Sequence, residues 1–281
     1  MKLSDTRALV TGASGGIGAA IAREIVGSGG QVLVTGRDAR ALHRLALSLD
    51  PGGKRVAVHV ADIARVEARI DLIEAAVEWS GGINVLINNA GVPAFGAFAQ
   101  MDPDDLEQAF AVNVLAPMQL CRGLLPHLQR QRTAHIVNIG SVFGAIGYPG
   151  QVAYSATKFA LRGFSEALRR ELGDTAVQVH YLAPRATRTR FNCAAVDELN
   201  VQLAVTTDPP ERVASTVRRM LETGQPEAVI GWPEKLFARI NGILPRLVDR
   251  SLARQLPTIR QRLARPRPAP LPVQPISRKA S

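Results

Sequence analysis

Short apolar runs alternate with longer amphipathic segments along most of the chain. Runs with the composition of buried strands recur at 7–11, 32–35, 55–60, 85–87, 135–139, 177–182 and 227–230. Segments with helical patterning lie between them, at 19–26, 39–49, 63–79, 106–128, 152–172 and 211–222. Because strands that alternate with helices at this spacing form crossover connections, the pattern predicts an α/β fold built on a doubly wound parallel sheet of about seven strands flanked by helices.

The pattern changes after residue 232. No linker composition interrupts residues 3–232, so we expect one domain there, with residues 186–208 forming a loop with helical pieces. Residues 235–256 alternate apolar with basic positions, and Pro245 in their middle predicts two short helices rather than one. We therefore expect a basic amphipathic extension over 233–262 and, because residues 263–281 are proline-rich and basic, a disordered tail there.

The formal net charge of +10 belongs to this extension and not to the domain. Residues 1–234 carry 23 Lys and Arg against 23 Asp and Glu, whereas residues 235–281 carry 11 against one. A neutral domain and a tail without interleaved aromatic residues give no support to nucleic-acid binding. Cys121 and Cys193 lack metal spacing, and there is no apolar signal or spanning run, so we expect reduced thiols, no metal and a cytoplasmic protein.

A glycine-rich turn lies between the first predicted strand and the first predicted helix. Its glycines are Gly12, Gly15, Gly16 and Gly18, with Ser14 and Ile17 between them. A strand, a glycine turn and a helix N-terminus together form the usual cradle for a phosphate group. The spacing is not that of the common G-x-G-x-x-G fingerprint, and a turn without a binding role is the alternative.

Tyr154 and Lys158 lie four residues apart in a predicted helix, which places them on the same face one turn apart. An ammonium near a phenol stabilises the phenolate and lowers the pKa of the phenol, which gives a general acid or base usable near neutral pH. The pair alone is weak evidence, because a tyrosine at the edge of a core and a solvated lysine would give the same pattern.

The glycine turn and the Tyr154/Lys158 pair in one chain resemble the short-chain dehydrogenase/reductase family. Asn88-Asn89-Ala90-Gly91, Asn113 and Ser141 match further motifs of that family in order and spacing. The resemblance covers residues 3–232 and implies a Rossmann-like dinucleotide-binding catalytic domain that transfers hydride between a nicotinamide and a carbonyl or alcohol.

The resemblance also implies a role for each matching side chain. Tyr154 would be the general acid or base, Lys158 would lower its pKa and bind the nicotinamide ribose, and Ser141 would hold the substrate oxygen. Asn113 would hold a water that links Lys158 to solvent. The other implied cofactor contacts are Gly12, Ser14, Gly15, Gly16, Ile17, Gly18, Asp62, Ile63, Asn89, Ala90, Gly91, Tyr154, Lys158, Pro184, Thr187 and Thr189. Arg185 stands where the family often has glycine, so it either changes the path of the following loop or faces the cofactor phosphates.

The second predicted strand ends at Gly36-Arg37-Asp38, and this position selects the nicotinamide cofactor. An acidic side chain at the strand end would bind the ribose 2′-hydroxyl of NAD, whereas the forked donors of Arg37 suit a 2′-phosphate. We therefore expect NADP (NADPH), with NAD the less favoured choice. Asp38 is interpreted as the N-cap of the next helix, and a cap is also the alternative for Asp62.

Apolar side chains are expected around the substrate: Phe95, Phe98, Phe143, Ile146, Tyr148 and Phe191. They predict a small lipophilic carbonyl or alcohol substrate, although core packing explains some of them equally well. The helices near 106–128 and 152–172 are those through which the family often associates, so a homo-oligomer is expected. Two alternatives stay open for residues 235–256: peripheral contact with anionic lipid, or packing of the apolar face on the domain with solvated arginines.

The principal functional alternative is a non-catalytic NADP-binding sensor or scaffold on the same fold. Such proteins usually lack part of the Tyr154, Lys158 and Ser141 set, which this chain retains. A sugar-nucleotide epimerase or dehydratase would have a differently spaced glycine turn and a larger C-terminal substrate region, and neither is present.

Overall fold

The computed structural model describes residues 1–264. Of the predicted disordered tail, 263–281, all but the first two residues lie outside the described residues, and Leu263 is the last residue of a helix. The strands are β1 Arg7–Thr11, β2 Gln31–Gly36, β3 Val56–Val60, β4 Val85–Asn88, β5 Ala134–Ile139, β6 Val177–Ala183 and β7 Glu227–Val229. The helices are α1 Gly16–Gly27, α2 Ala39–Leu49, α3 Val66–Glu78, α4 Pro103–Phe110, α5 Ala116–Leu128, α6 Val152–Glu171, α7 Ala194–Gln202, α8 Pro210–Thr223, α9 Glu234–Ile243 and α10 Pro245–Leu263.

The seven strands form one parallel sheet in the order β3-β2-β1-β4-β5-β6-β7. The chain runs outward from β1 in one direction and then outward from β4 in the other, so the order reverses between β1 and β4. In such a doubly wound sheet, ligands bind beyond the carboxyl ends of the strands where the order reverses. The predicted Rossmann-like fold class is confirmed.

Two apolar layers cover the sheet. On one face, the strands pack against α1, α2 and α8 through buried residues such as Ile21, Leu42 and Val217. On the other face, α3 and α5 supply buried residues such as Leu72 and Leu124. Because both faces of the sheet are covered, its central strands are apolar runs without alternation, which is the pattern visible in the sequence.

The single helix predicted over 106–128 is two helices joined by a π turn at Ala111–Leu115. Pro117 has no N–H, so it cannot donate to the carbonyl of Asn113 four residues earlier. The N–H of Ala116 instead bonds to the carbonyl of Ala111, five residues back. The turn places Asn113, fully buried, at the junction of α4 and α5.

The extension forms two helices divided before Pro245, as predicted, but α10 is longer than expected and continues to Leu263. Pro245 occupies the first position of α10, where its missing N–H has no helical partner to lose. Val248 and Ile259 are the buried residues of α10, and Ile259 packs with Phe95, Val196 and Leu199. Within residues 1–264, no helix is long and apolar enough to cross a membrane.

Candidate active site

The glycine turn between β1 and α1 lies against two other segments of the chain. Gly12 has a φ of +66°, and a Cβ there would lie 2.7 Å from the Cα of Ala90. Gly16 has a φ of +54°, and a Cβ there would lie 2.9 Å from the Cγ2 methyl of Thr189. The turn therefore requires glycine at both positions, for backbone conformation and for space. It borders the chain after β4 on one side and the chain after β6 on the other.

The N-terminus of α1 has the properties of an anion site. Its N-cap is Gly15, so no side chain caps the N–H groups of the first turn. A Cβ at Gly15 would meet no atom within 4 Å, which leaves the space above the turn open. Uncapped N–H groups at the positive end of a helix dipole suit a phosphate. With Ser14 exposed and Ile17 half-buried beside them, the residues fit the pyrophosphate of a dinucleotide.

The carboxyl end of β2 presents Arg37 to solvent beside the glycine turn. A Cβ at Gly36 would lie 3.5 Å from the hydroxyl of Ser14, so the two segments are adjacent. The carboxylate of Asp38 accepts a hydrogen bond from the N–H of Ala41 at 2.9 Å, as the N-cap of α2. Asp38 therefore caps α2, as the sequence predicts. Arg37 is the exposed charged side chain at this strand end that remains available to contact a nucleotide.

Asp62 and Ile63 follow the carboxyl end of β3. The N–H of Ala61 donates to the carbonyl of Gly36 at 3.1 Å, which holds this segment against the end of β2. The carboxylate of Asp62 accepts from the N–H of Ala64 at 3.1 Å. Because α3 begins at Val66, Asp62 stabilises the turn before the helix and is not its N-cap.

The asparagines after β4 connect strands. The hydroxyl of Thr11 accepts from the N–H groups of Asn89 and Ala90, each at 3.0 Å, and the Asn89 amide donates to the Thr11 carbonyl at 2.9 Å. The Asn88 amide donates to Asn138 on β5 at 2.9 Å. These bonds fix the backbone of β4 beside the glycine turn.

Ser141, Tyr154 and Lys158 meet beyond the carboxyl end of β5. Ser141 is the second residue after β5, and the other two side chains come from the first two turns of α6. The Ser141 side chain lies close enough to the phenol of Tyr154 to act on its pKa. The Lys158 Nζ lies 5.6 Å from the centroid of the Tyr154 ring and donates to the Ile139 carbonyl at 3.1 Å. A Cβ at Gly91 would lie 3.9 Å from the Lys158 Nζ, so the chain after β4 completes this group.

Burial controls the protonation of both groups. Burial raises the pKa of Tyr154, and the polar side chain of Ser141 acts on that pKa in the opposite direction. Burial also lowers the pKa of the Lys158 ammonium to about 8. The four-residue spacing predicts a lowered pKa for Tyr154. The structure shows the opposite direction, because loss of solvent outweighs the other effects on this phenol, which is therefore protonated at neutral pH.

Asn113 binds the chain after β4 through its side chain. Its Oδ1 accepts from the N–H of Val92 at 2.8 Å, and its Nδ2 donates to the carbonyl of Val92 at 3.0 Å and to Thr157 at 3.2 Å. The amide is therefore fully used in positioning the segment next to Lys158. The predicted role in holding a water stays a prediction.

Aromatic rings surround the Tyr154 side chain. Phe143 meets it edge to face, with centroids 6.4 Å apart, and Phe191 lies 5.8 Å away in a tilted arrangement. Tyr148 stacks on Phe143 at 4.9 Å. Of the other residues expected here, Ile146 is half-buried after the turn that follows Ser141, Phe98 is 56% exposed, and Phe95 belongs to the apolar cluster of α7 and α10.

Arg185 explains the path of the segment after β6. Its guanidinium makes two hydrogen bonds to Asp208, at 2.9 and 3.0 Å, and an ion pair with Glu234 at 3.5 Å. It therefore pins the ends of the 186–208 segment to α9 and does not face the phosphate site. Thr187 donates to the Arg185 carbonyl at 3.0 Å, whereas Thr189 lies against the glycine turn.

Two features of the site carry no signal in the sequence. The Tyr148 hydroxyl donates to the Gln255 side chain on α10 at 2.8 Å, across 107 residues. Tyr181 on β6 lies beneath Ser141, and its hydroxyl donates to the Ser141 carbonyl at 3.4 Å. Each residue is ordinary in its own segment, and only the alignment of distant elements gives it a place near Tyr154. Within the described residues, no group of His, Cys, Asp or Glu could hold a metal ion.

Comparison with known proteins identifies relatives of the whole site region. A family model described as short chain dehydrogenase matches residues 6–200. The 3-oxoacyl-acyl-carrier-protein reductase FabG of Salmonella typhimurium is 32% identical over 191 residues, which are 68% of this chain and 77% of that protein.

Two solved structures extend the similarity towards the C-terminus. A short-chain dehydrogenase from Sphingobium yanoikuyae in complex with NADPH is 27% identical, with a TM-score of 0.76 over 87% of this chain and 96% of that one. A short chain dehydrogenase/reductase from Burkholderia phymatum in complex with NAD is 24% identical and has the same fold, with a TM-score of 0.81 over 88% and 96% of the two chains.

Proposed function

The chain belongs to the short-chain dehydrogenase family, and we propose that it is an NADP-dependent oxidoreductase acting on a lipophilic carbonyl compound or the corresponding alcohol. One observation carries this proposal. Ser141, Tyr154 and Lys158 meet beside the turn that fits a dinucleotide, at the edge of the sheet where the strand order reverses. A bound NADPH supplies the hydride, while the protein supplies the proton and the orientation.

Tyr154 is the proton donor to the substrate oxygen in the reductive direction. Its phenol is protonated because burial raises its pKa, and a developing alkoxide is a stronger base than the phenolate. The Ser141 Oγ accepts from the N–H of Phe143 at 3.2 Å, which leaves the Ser141 hydroxyl proton for the same substrate oxygen. The two hydroxyl groups together hold that oxygen and stabilise the charge that develops on it.

Lys158 restores the proton to Tyr154 and binds the ribose of the nicotinamide. Because burial lowers its pKa to about 8, Lys158 can release and regain a proton near neutral pH. The carbonyl of Asn113 cannot accept a helical bond from Pro117, so it is the acceptor that we assign to a water next to Lys158. In this proposal the backbone carbonyl of Asn113 contacts the water, and the side chain of Asn113 positions Val92.

The cofactor preference rests on Arg37. Its exposed guanidinium follows β2 next to Ser14 of the glycine turn, where the 2′-phosphate of NADP would be recognised. Asp38, which would favour NAD, is engaged with the N–H of Ala41. The NADPH held by the Sphingobium relative supports this choice.

The substrate class rests on the rings around Tyr154. Phe143, Tyr148 and Phe191 give the phenol an apolar and aromatic surrounding, which favours a lipophilic ketone, aldehyde or alcohol over a sugar or an acid. The keto group reduced by a relative named as a 3-oxoacyl reductase is consistent with such a carbonyl.

A homo-oligomer is part of the same proposal. Exposed apolar side chains lie on the π turn and helices through which association was expected: Leu115, Met118, Val152 and Phe159. Their burial against a second copy would remove apolar surface that a monomer leaves in water.

Loss of nicotinamide absorbance with NADPH, and separately with NADH, tests the proposal against a panel of hydrophobic ketones and aldehydes. We expect turnover with NADPH that Tyr154→Phe abolishes. Tyr148→Phe removes a neighbouring phenol and is the matched control that should keep turnover of small ketones. Arg37→Ala should raise the KM for NADPH without raising that for NADH.

The other outcomes separate the alternatives. Turnover with NADH alone would contradict the cofactor assignment and make Asp38 the ribose ligand. Equal turnover by the wild type and Tyr154→Phe would refute the proposed acid. Tight NADPH binding, measured by calorimetry, without turnover of any compound in the panel would favour the sensor or scaffold function.

A further inference from the structure

The helix α9 turns its polar side towards the domain and its apolar side outward, whereas a helix that packs on a core does the reverse. Glu234, Ala238 and Asn241 recur at helical spacing, are half-buried and face the domain. Glu234 pairs with Arg185 at 3.5 Å, and the Asn241 amide donates to the carbonyl of Ala145 at 2.8 Å. Polar contacts therefore attach α9 to the domain.

The opposite side of α9 and the start of α10 carry the apolar residues. Three apolar residues recur at helical spacing on this side: Leu236, Ile240 and Ile243. Ile240 is half-buried, and the other two are exposed. We use "apolar patch" for five exposed side chains around the α9–α10 junction: Leu236, Phe237, Ile243, Leu244 and Leu247. Ile243 is 79% exposed. A surface helix normally turns such residues towards the core, and an exposed apolar patch is typical of an interaction surface.

Basic side chains accompany the apolar patch. Lys235, Arg239, Arg246 and Arg250 are exposed, and none of them forms an ion pair with another residue in the described part of the chain. Asp249 is the exposed acidic residue in the same stretch. The patch therefore combines apolar surface with an excess of unpaired positive charge.

We propose that the apolar patch and its four basic residues dock the protein on an anionic lipid surface. Apolar side chains enter the boundary between headgroups and acyl chains, and arginine and lysine bind the anionic headgroups. A second copy of the chain is the less suitable occupant. A two-fold contact would place the patch on itself and bring the same four cations together from both sides.

The apolar patch lies close to the candidate active site. On its inner side, α9 packs on the turn at Val142–Gly144, which directly follows Ser141. The bound membrane would therefore lie one helix away from the site, on the side where apolar substrate is expected. Docking would bring the site to substrate dissolved in the lipid, although the docking itself does not depend on the reaction.

Flotation with vesicles tests the docking. The full chain is mixed with phosphatidylcholine vesicles that contain or lack phosphatidylserine, and bound protein is measured at low and high salt. We expect binding that needs phosphatidylserine and weakens with salt. Arg239→Gln with Ile243→Ser should lower the affinity for vesicles at least tenfold. Arg44→Gln with Leu47→Ser, which changes an exposed arginine and an exposed aliphatic residue on α2, should bind as the wild type does.

Three results would overturn the inference. They are absence of vesicle binding by the wild type, equal binding by the α9 variant, and a smaller oligomer for the α9 variant in light scattering without any vesicle binding, which would assign the patch to a second copy. Residues 265–281 are identical in all variants, so the difference between them reports on α9. NADPH oxidation without vesicles should be the same in both double variants, and therefore a failed flotation leaves the proposed reaction untouched.

Discussion

Two hydrogen-bonded histidines in the core predict that the protein loses stability in mild acid. His135 on β5 and His180 on β6 are fully buried, and His135 Nδ1 lies 2.9 Å from His180 Nε2. The Gln225 carbonyl, 2.7 Å from His180 Nδ1, can only accept, so His180 carries its proton on Nδ1. His180 Nε2 is then the acceptor, and His135 donates from Nδ1. The remaining His135 Nε2 has no hydrogen-bond partner among the described residues.

The size of this loss of stability follows from the pKa of His135. Burial lowers the pKa of His135 from 6.5 to about 3, and burial also lowers the pKa of His180. Between these pKa values the unfolded chain binds a proton that the folded chain does not, so stability is present above the unfolded pKa and falls as the pH falls. For one such group the free energy of unfolding drops by about 2 kcal/mol between about pH 7 and about pH 5. The lowered pKa of His180 adds a loss in the same direction.

The free energy of unfolding is measured in urea, with circular dichroism as the probe, at several pH values across that range. His135→Gln keeps a donor for His180 and does not titrate, so its free energy of unfolding should fall less steeply with pH, by about 2 kcal/mol over the range. His43→Gln, which removes an exposed histidine, should keep the wild-type slope. Parallel slopes for wild type and His135→Gln would refute the reasoning, whatever the stability at neutral pH.

Three further predictions concern the site. Gly16→Ala should weaken NADPH binding by about tenfold or more, because its Cβ would lie 2.9 Å from a methyl group at a φ of +54°; an unchanged Kd in calorimetry would contradict this. Gly140→Ala should destabilise the protein by about 1–3 kcal/mol and lower kcat, because its Cβ would overlap the Tyr181 ring; a wild-type Tm would contradict it. Gln255→Ala releases the Tyr148 hydroxyl, a bond of about 1 kcal/mol, and should raise the KM for bulky ketones about fivefold, with small ketones as the internal control; equal changes for both would argue against it.

The sequence alone determined the sheet, the glycine turn and the grouping of Tyr154 with Lys158. These features are encoded locally: an apolar run, a glycine turn and a helix N-terminus follow one another within the first 27 residues. Tyr154 and Lys158 are placed by a single helical turn, and Asp38 is an N-cap because the helix begins at the next residue. Local order and helical geometry are the same in the isolated sequence and in the fold, so such predictions carry over.

The tertiary structure decided the properties that depend on surroundings. Burial sets the pKa direction of Tyr154, and burial cannot be derived from a four-residue spacing. Arg185 is committed to Asp208 and Glu234, partners that the chain brings to it only after folding. The inward face of α9 carries the polar contacts of Glu234 and Asn241, whereas its composition left open whether the apolar face would pack on the domain. Solvent exclusion and long-range pairing are products of the whole fold, whereas strand, turn and helix are written in neighbouring residues.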